Sequence, residues 1–166
     1  GQATVDRSSV AIRFAKTPPT REIHTNIMWQ RELSIPAGAQ WHEETSTYEF
    51  REDARILSLM PHMHIRGVAA KYILRLPDGK TETLLSVPRF DFNWQSVYRF
   101  KDPISVPKGA TLTVTGVWDN SKDNPTNPNA GRNVLWGEQT FDEMLNGWVD
   151  FVYEKADHPR EIAATK

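Results

Sequence analysis

The chain has 166 residues, with 20 basic and 21 acidic side chains, a net charge of −1 and a pI near 6.6. That length suits one domain with a proper core, and a balanced charge with no basic cluster argues against nucleic acid as a partner. No apolar run approaches the roughly 20 residues of a membrane-spanning helix. The absence of cysteine excludes disulfides, zinc ribbons and a blue-copper centre.

Taken in chain order, the signals are those of short strands. Ser9 to Ala15, Ile23 to Trp29, Ser46 to Phe50 and Arg55 to Leu59 have strand composition. Val68 to Leu74 extends into Tyr72 to Leu76. The turn sequence Pro77-Asp78-Gly79-Lys80 separates it from Glu82 to Leu85. Ala110 to Trp118 alternates apolar and polar residues, as a half-buried strand should. Asp119 to Asn133 is polar and carries two prolines, so it reads as a long loop, either solvated or forming a wall of a site. Thr140 with Glu143 has the spacing of a capping box, which predicts a short helical turn over 140–146. A last strand follows, Trp148 to Tyr153. Many short strands separated by Pro and Gly turns predict an all-β, antiparallel jelly-roll β-sandwich. One domain is expected over 1–157, with 158–166 a flexible tail.

The pair His62 and His64, in Leu59-Met60-Pro61-His62-Met63-His64-Ile65-Arg66-Gly67, carries the chemistry. Two residues apart on a strand, the imidazoles would share a face, with Cα atoms roughly 6.6 Å apart. Met60 shares that face and Met63 points to the core. Met144 lies at the join of the predicted turn and the last strand, where it reads either as a core filler or as a held ligand. His42 is a spare ligand after a turn. His24 is either a donor behind the site or a packed side chain. Imidazole suits copper in either oxidation state and a thioether favours Cu(I), whereas zinc prefers a third histidine or a carboxylate.

Met60 to Gly67 together with Gly137-Glu138-Gln139-Thr140-Phe141-Asp142-Glu143-Met144 resembles the C-terminal domain of the copper type II, ascorbate-dependent monooxygenases. This family includes the peptidylglycine and dopamine β-monooxygenases. The likeness runs from about Arg21 to Tyr153 and is nearest to bacterial relatives, with Ile35 to Gly38, Leu85 to Gln95 and Asp119 to Ser121 as further shared segments. It implies copper held by His62, His64 and Met144 as the catalytic group, with Asn146 matching a residue close to the copper methionine. It also implies a periplasmic or extracellular setting. The substrate-carboxylate arginine of the family's peptidylglycine enzyme is replaced here by Met60 and its tyrosine by Trp148. Peptide amidation is therefore not expected, and an apolar pocket is.

The family's second copper lies on a preceding domain, and Gly1 to Arg7 resembles the run that follows it. The chain is thus expected to be a piece of a longer protein or a subunit of a larger assembly. Two functions follow from the resemblance. One is a monooxygenase-type oxidoreductase domain that hydroxylates a small-molecule C–H bond, using a redox partner or other external donor. The other is a non-catalytic copper-binding or structural module.

Overall fold

The computed structural model describes residues 3–17 and 21–155; the expected tail at 158–166 lies outside them. Ten strands form, in chain order: β1 (His24–Trp29), β2 (Ser34–Ile35), β3 (His42–Glu49), β4 (Ala54–His62), β5 (Gly67–Arg75), β6 (Thr81–Val87), β7 (Tyr98–Val106), β8 (Thr111–Trp118), β9 (Val134–Leu135) and β10 (Asn146–Tyr153). One four-stranded sheet has the order β1-β10-β4-β7 and the other β3-β8-β5-β6, while β2 and β9 make a two-stranded ribbon. All the pairings are antiparallel. Only β5 and β6 are neighbours in both sequence and sheet, which is the interleaving of a jelly-roll sandwich.

The alternation read in the sequence is realised most cleanly in β8. Leu112, Val114 and Trp118 point inward and are fully buried, as is Gly116, while Thr113, Thr115 and Val117 are half-exposed. Facing them from the other sheet are Met28, Ile56, Leu59, Val149 and Phe151. Gly147 sits where Val114 of the opposite sheet approaches, and Gly116 where Trp118, Leu145 and Met63 crowd in. A Cβ on Gly147 would lie 2.6 Å from Val114 Cγ1, and one on Gly116 2.9 Å from Met63 Sδ. The turn at 77–80 closes as expected, Gly79 N donating to Leu76 O at 2.9 Å with Gly79 at a φ of 87°.

Three expectations are corrected. Ser9 to Ala15 forms no strand: Val10 is 85% exposed and no ladder partner satisfies its backbone. No helix occurs among the described residues, and 140–146 holds a simple turn in which Asp142 N donates to Gln139 O at 2.9 Å. His62 ends β4, and His64 lies just past it at the turn into β5. Strand β7 was not foreseen. Pro103 breaks its pattern, and it is tolerated because β7 is an edge strand, with its ladder to β4 interrupted at that point.

Candidate functional site

Strand pairing brings the separated motifs together. Asn146 is the register partner of His62, and Trp148 that of Met60. Met144 lies two residues before Asn146, and Asn146 Nδ2 donates to its sulfur at 3.1 Å. On the other side, His64 touches the same segment directly. Its backbone N donates to Glu143 Oε2 at 2.9 Å, and its ring Nδ1 lies 3.2 Å from the Asp142 carbonyl. The His62 and His64 rings have centroids 5.2 Å apart with planes at 82°. His62, His64, Met144 and Asn146 therefore share one end of the β4–β10 ladder.

Both imidazoles are held through Nδ1 by oxygens that can only accept. His62 Nδ1 meets Gln95 Oε1 at 2.5 Å, and His64 Nδ1 meets the Asp142 carbonyl. Each ring must then carry a proton on Nδ1, so that in the neutral tautomer Nε2 is the nitrogen with the free lone pair. Burial lowers the pKa of His64, opposed by its bond to the Asp142 carbonyl. The residue is only 5% exposed, and a neutral imidazole is the form that binds metals.

The segment that delivers Met144 folds back on itself. Glu143 N donates to Leu135 O at 3.3 Å and Gly137 N to Glu143 O at 3.0 Å. A Cβ on Gly137 would collide with the Asp142 side chain, so the return path needs glycine there. Glu143 does not cap a helix as the spacing suggested. It is fully buried and accepts from His64 N, from Arg66 N at 2.6 Å and from Trp118 Nε1 at 2.9 Å. Arg66 Nη1 stands 3.9 Å from it. The Arg66 guanidinium also donates to Asn127 Oδ1 at 2.9 Å and to the Phe141 carbonyl at 2.9 Å. The long polar loop is therefore a brace for the turn after His64, with Thr126 Oγ1 donating to Ile65 O at 2.7 Å.

Next to the histidines, on the outer face of the β1-β10-β4-β7 sheet, lies a cleft of about 130 Å³ lined by Ser58, Leu59, Met60, Val97, Trp148 and Asp150. Met60 and Trp148 are cross-strand partners on its floor. Trp136 lies outside this cleft; it bridges to Glu143 and sits 5.6 Å from the Arg31 cation. Asp150 closes the polar end, accepting from Thr25 Oγ1 and Ser58 Oγ at 2.6 Å each.

The two other candidate histidines lie elsewhere. His42 starts β3 in the opposite sheet, half-buried, with Nε2 3.2 Å from Glu44 Oε1. His24 pairs with Phe151, stacks on its ring and lies tilted against that of Tyr153. It is five residues along the ladder from Asn146, roughly 17 Å away. Among the described residues no three His, Cys, Asp or Glu side chains cluster as metal ligands; the sulfur at this end of the ladder is that of Met144, held by Asn146. A donor set of two imidazoles and a thioether suits copper, and Cu(I) in particular.

Gln95, Phe92 and Glu143 were not singled out in the sequence as parts of a site. Each lies inside a segment quoted for the resemblance, Leu85 to Gln95 or Gly137 to Met144, where it was given no part in a site. Gln95 ends a polar–aromatic run, Asp91 to Gln95, and Glu143 precedes Met144 as Arg66 follows His64 by two.

No protein-family model matches the chain, and no curated protein does. Among solved structures, the infectious bursal disease virus VP2 subviral particle is 12% identical over 80% of this chain and 32% of that chain, with a TM-score of 0.39. The infectious bursal disease virus Gt strain is 11% identical over 84% and 34%, at 0.38. The family 32 CBM of C. perfringens NanJ, solved in complex with galactose, is 12% identical over 76% and 93%, at 0.34. The chain spans about a third of the length of the viral chains. At these scores the likenesses carry no functional argument.

Proposed function

We propose that the chain is the oxygen-activating copper domain of a monooxygenase-type oxidoreductase, with His62, His64 and Met144 as ligands. One observation supports this above the others. The segments around His62, His64 and Met144 meet at one end of the sheet, with both Nδ1 atoms tied to carbonyl oxygens and the sulfur held by Asn146. Copper bound there would supply dioxygen binding and one-electron chemistry. The chain's own residues would orient the metal and hold the substrate. Met60 and Trp148 offer an apolar floor beside His62, in a cleft close to the roughly 150 Å³ cavity that accepts benzene in another protein. The substrate reading is therefore an apolar group of about one ring. No basic side chain lines the cleft to hold a carboxylate.

The overall change would be R–H + O₂ + 2e⁻ + 2H⁺ → R–OH + H₂O. One copper carries one electron at a time, so the second must come from an external donor or a further domain. The same electron balance favours a second reading, in which the domain holds copper in a larger assembly without turning over. Oxygen uptake decides between them. The copper-loaded chain with ascorbate and an apolar aromatic substrate should consume oxygen faster than its His62→Ala variant. Tight copper binding with no uptake above that variant would leave the module reading.

A further inference from the structure

We propose that Gln95 is the positioning residue that locks His62 in its Nδ1–H tautomer and so turns Nε2 toward the metal position; this deepens the copper reading and rests on it for the metal's identity. The loop from β6 to β7, residues 88–97, leans over both imidazoles. It is anchored by Phe90 N donating to Val68 O at 2.8 Å, and a turn within it closes with Trp94 N donating to Asp91 O at 2.9 Å. Asp91 Oδ1 also accepts from Asn93 N at 2.8 Å. Past this turn, Gln95 Nε2 donates to the Phe92 carbonyl at 2.9 Å. That bond settles which end of the amide is which, because a carbonyl cannot accept from the oxygen end. Oε1 is therefore the atom 2.5 Å from His62 Nδ1, and His62 must be the donor. The same loop places the Phe92 ring edge-on to His64, centroids 6.1 Å apart and planes at 86°. A single loop thus bears on both rings.

A hydrogen bond at one ring nitrogen fixes both the tautomer and the aim of the other. Without Gln95 Oε1, the His62 proton is free to move to Nε2, where it competes with a metal. The position is one of orientation: Gln95 acts through His62.

The test begins without metal. Long-range ¹H–¹⁵N correlation spectra of the metal-free chain at about pH 8 should show His62 as the Nδ1–H tautomer. In Gln95→Leu the proton should redistribute toward Nε2, while the core resonances stay in place. Gln95→Glu, which restores an acceptor, should return the wild-type pattern. Copper affinity should follow, falling about 10- to 100-fold in Gln95→Leu and recovering in Gln95→Glu. An Nε2–H His62 in the wild type overturns the proposal, as does a Gln95→Leu variant with unchanged tautomer and unchanged affinity. Should the wild type show the Nδ1–H form yet bind no copper, the copper reading fails and the Gln95 assignment survives.

Discussion

At Glu143, N–H groups from His64, Arg66 and Trp118 meet one buried carboxylate, tying the histidine turn, strand β8 and the Met144 segment into one unit. Burial pushes its carboxyl up to about 7, against the pull of those three donors and of Arg66. A group whose folded pKa is raised contributes stability that is whole below the ordinary carboxylate range and is lost as pH rises through the folded value. Glutamine stays neutral throughout. The loss of thermal stability in Glu143→Gln, relative to wild type, should therefore be larger near pH 5 than near pH 8. A difference that widens with pH would contradict this account of Glu143. The opposite-signed contribution of His64, whose pKa is lowered, is present in both proteins and cancels to first order. At this scale the sequence exposed only part of the site. His62, His64 and Met144 stand in recognisable motifs, and Met60, Trp148 and Asn146 follow from strand periodicity and their distance from those motifs. Gln95 meets His62 across 33 residues and Glu143 meets His64 across 79. Neither link has a local pattern, because each arises from how distant loops fold over one end of the sandwich.

The elements show the same division between local and long-range causes. Strands β5, β6, β8 and β10 were legible because alternation and turn chemistry are local. β7 was hidden by Pro103, which an edge strand tolerates. Ser9 to Ala15 has the composition of a strand and lacks a ladder partner. The turn at 139–142 shows the limit of the capping-box signal: the same Thr and Glu spacing serves a buried carboxylate instead of a helix start. β10 matters most to the site, since its pairing with β4 sets Asn146 opposite His62. Gly147, next along β10, lets the opposite sheet approach. Gly147→Ala should cost about 1–3 kcal/mol by overpacking against Val114. Denaturant titration reads this directly, and an unchanged midpoint would contradict the close approach of Val114 to Gly147.

Across the whole molecule, a jelly roll without cysteine or helix among its described residues is held by the facing of two sheets and the burial of Trp118, Phe50, Tyr72 and their neighbours. The polar loop at 119–133 is spent on bracing the site from outside that core, through Asn120, Asn127 and Thr126. The architecture was legible because strand length, alternation and turn residues all point one way. The closing of the site was not, since it depends on which strands become neighbours, and only β5 and β6 are neighbours in both sequence and sheet. The fold thus brings the Met144 segment, some 80 residues further along the chain, to the end of the sheet where His62 and His64 stand. The most direct test is X-ray absorption on the chain loaded with one equivalent of Cu(I), in wild type and in Met144→Ile. The account predicts two imidazole nitrogens and one sulfur in the wild type, loss of the sulfur in the variant, and a far larger drop in affinity for Cu(I) than for Cu(II). A wild-type spectrum without sulfur, or equal losses for the two oxidation states, would contradict it.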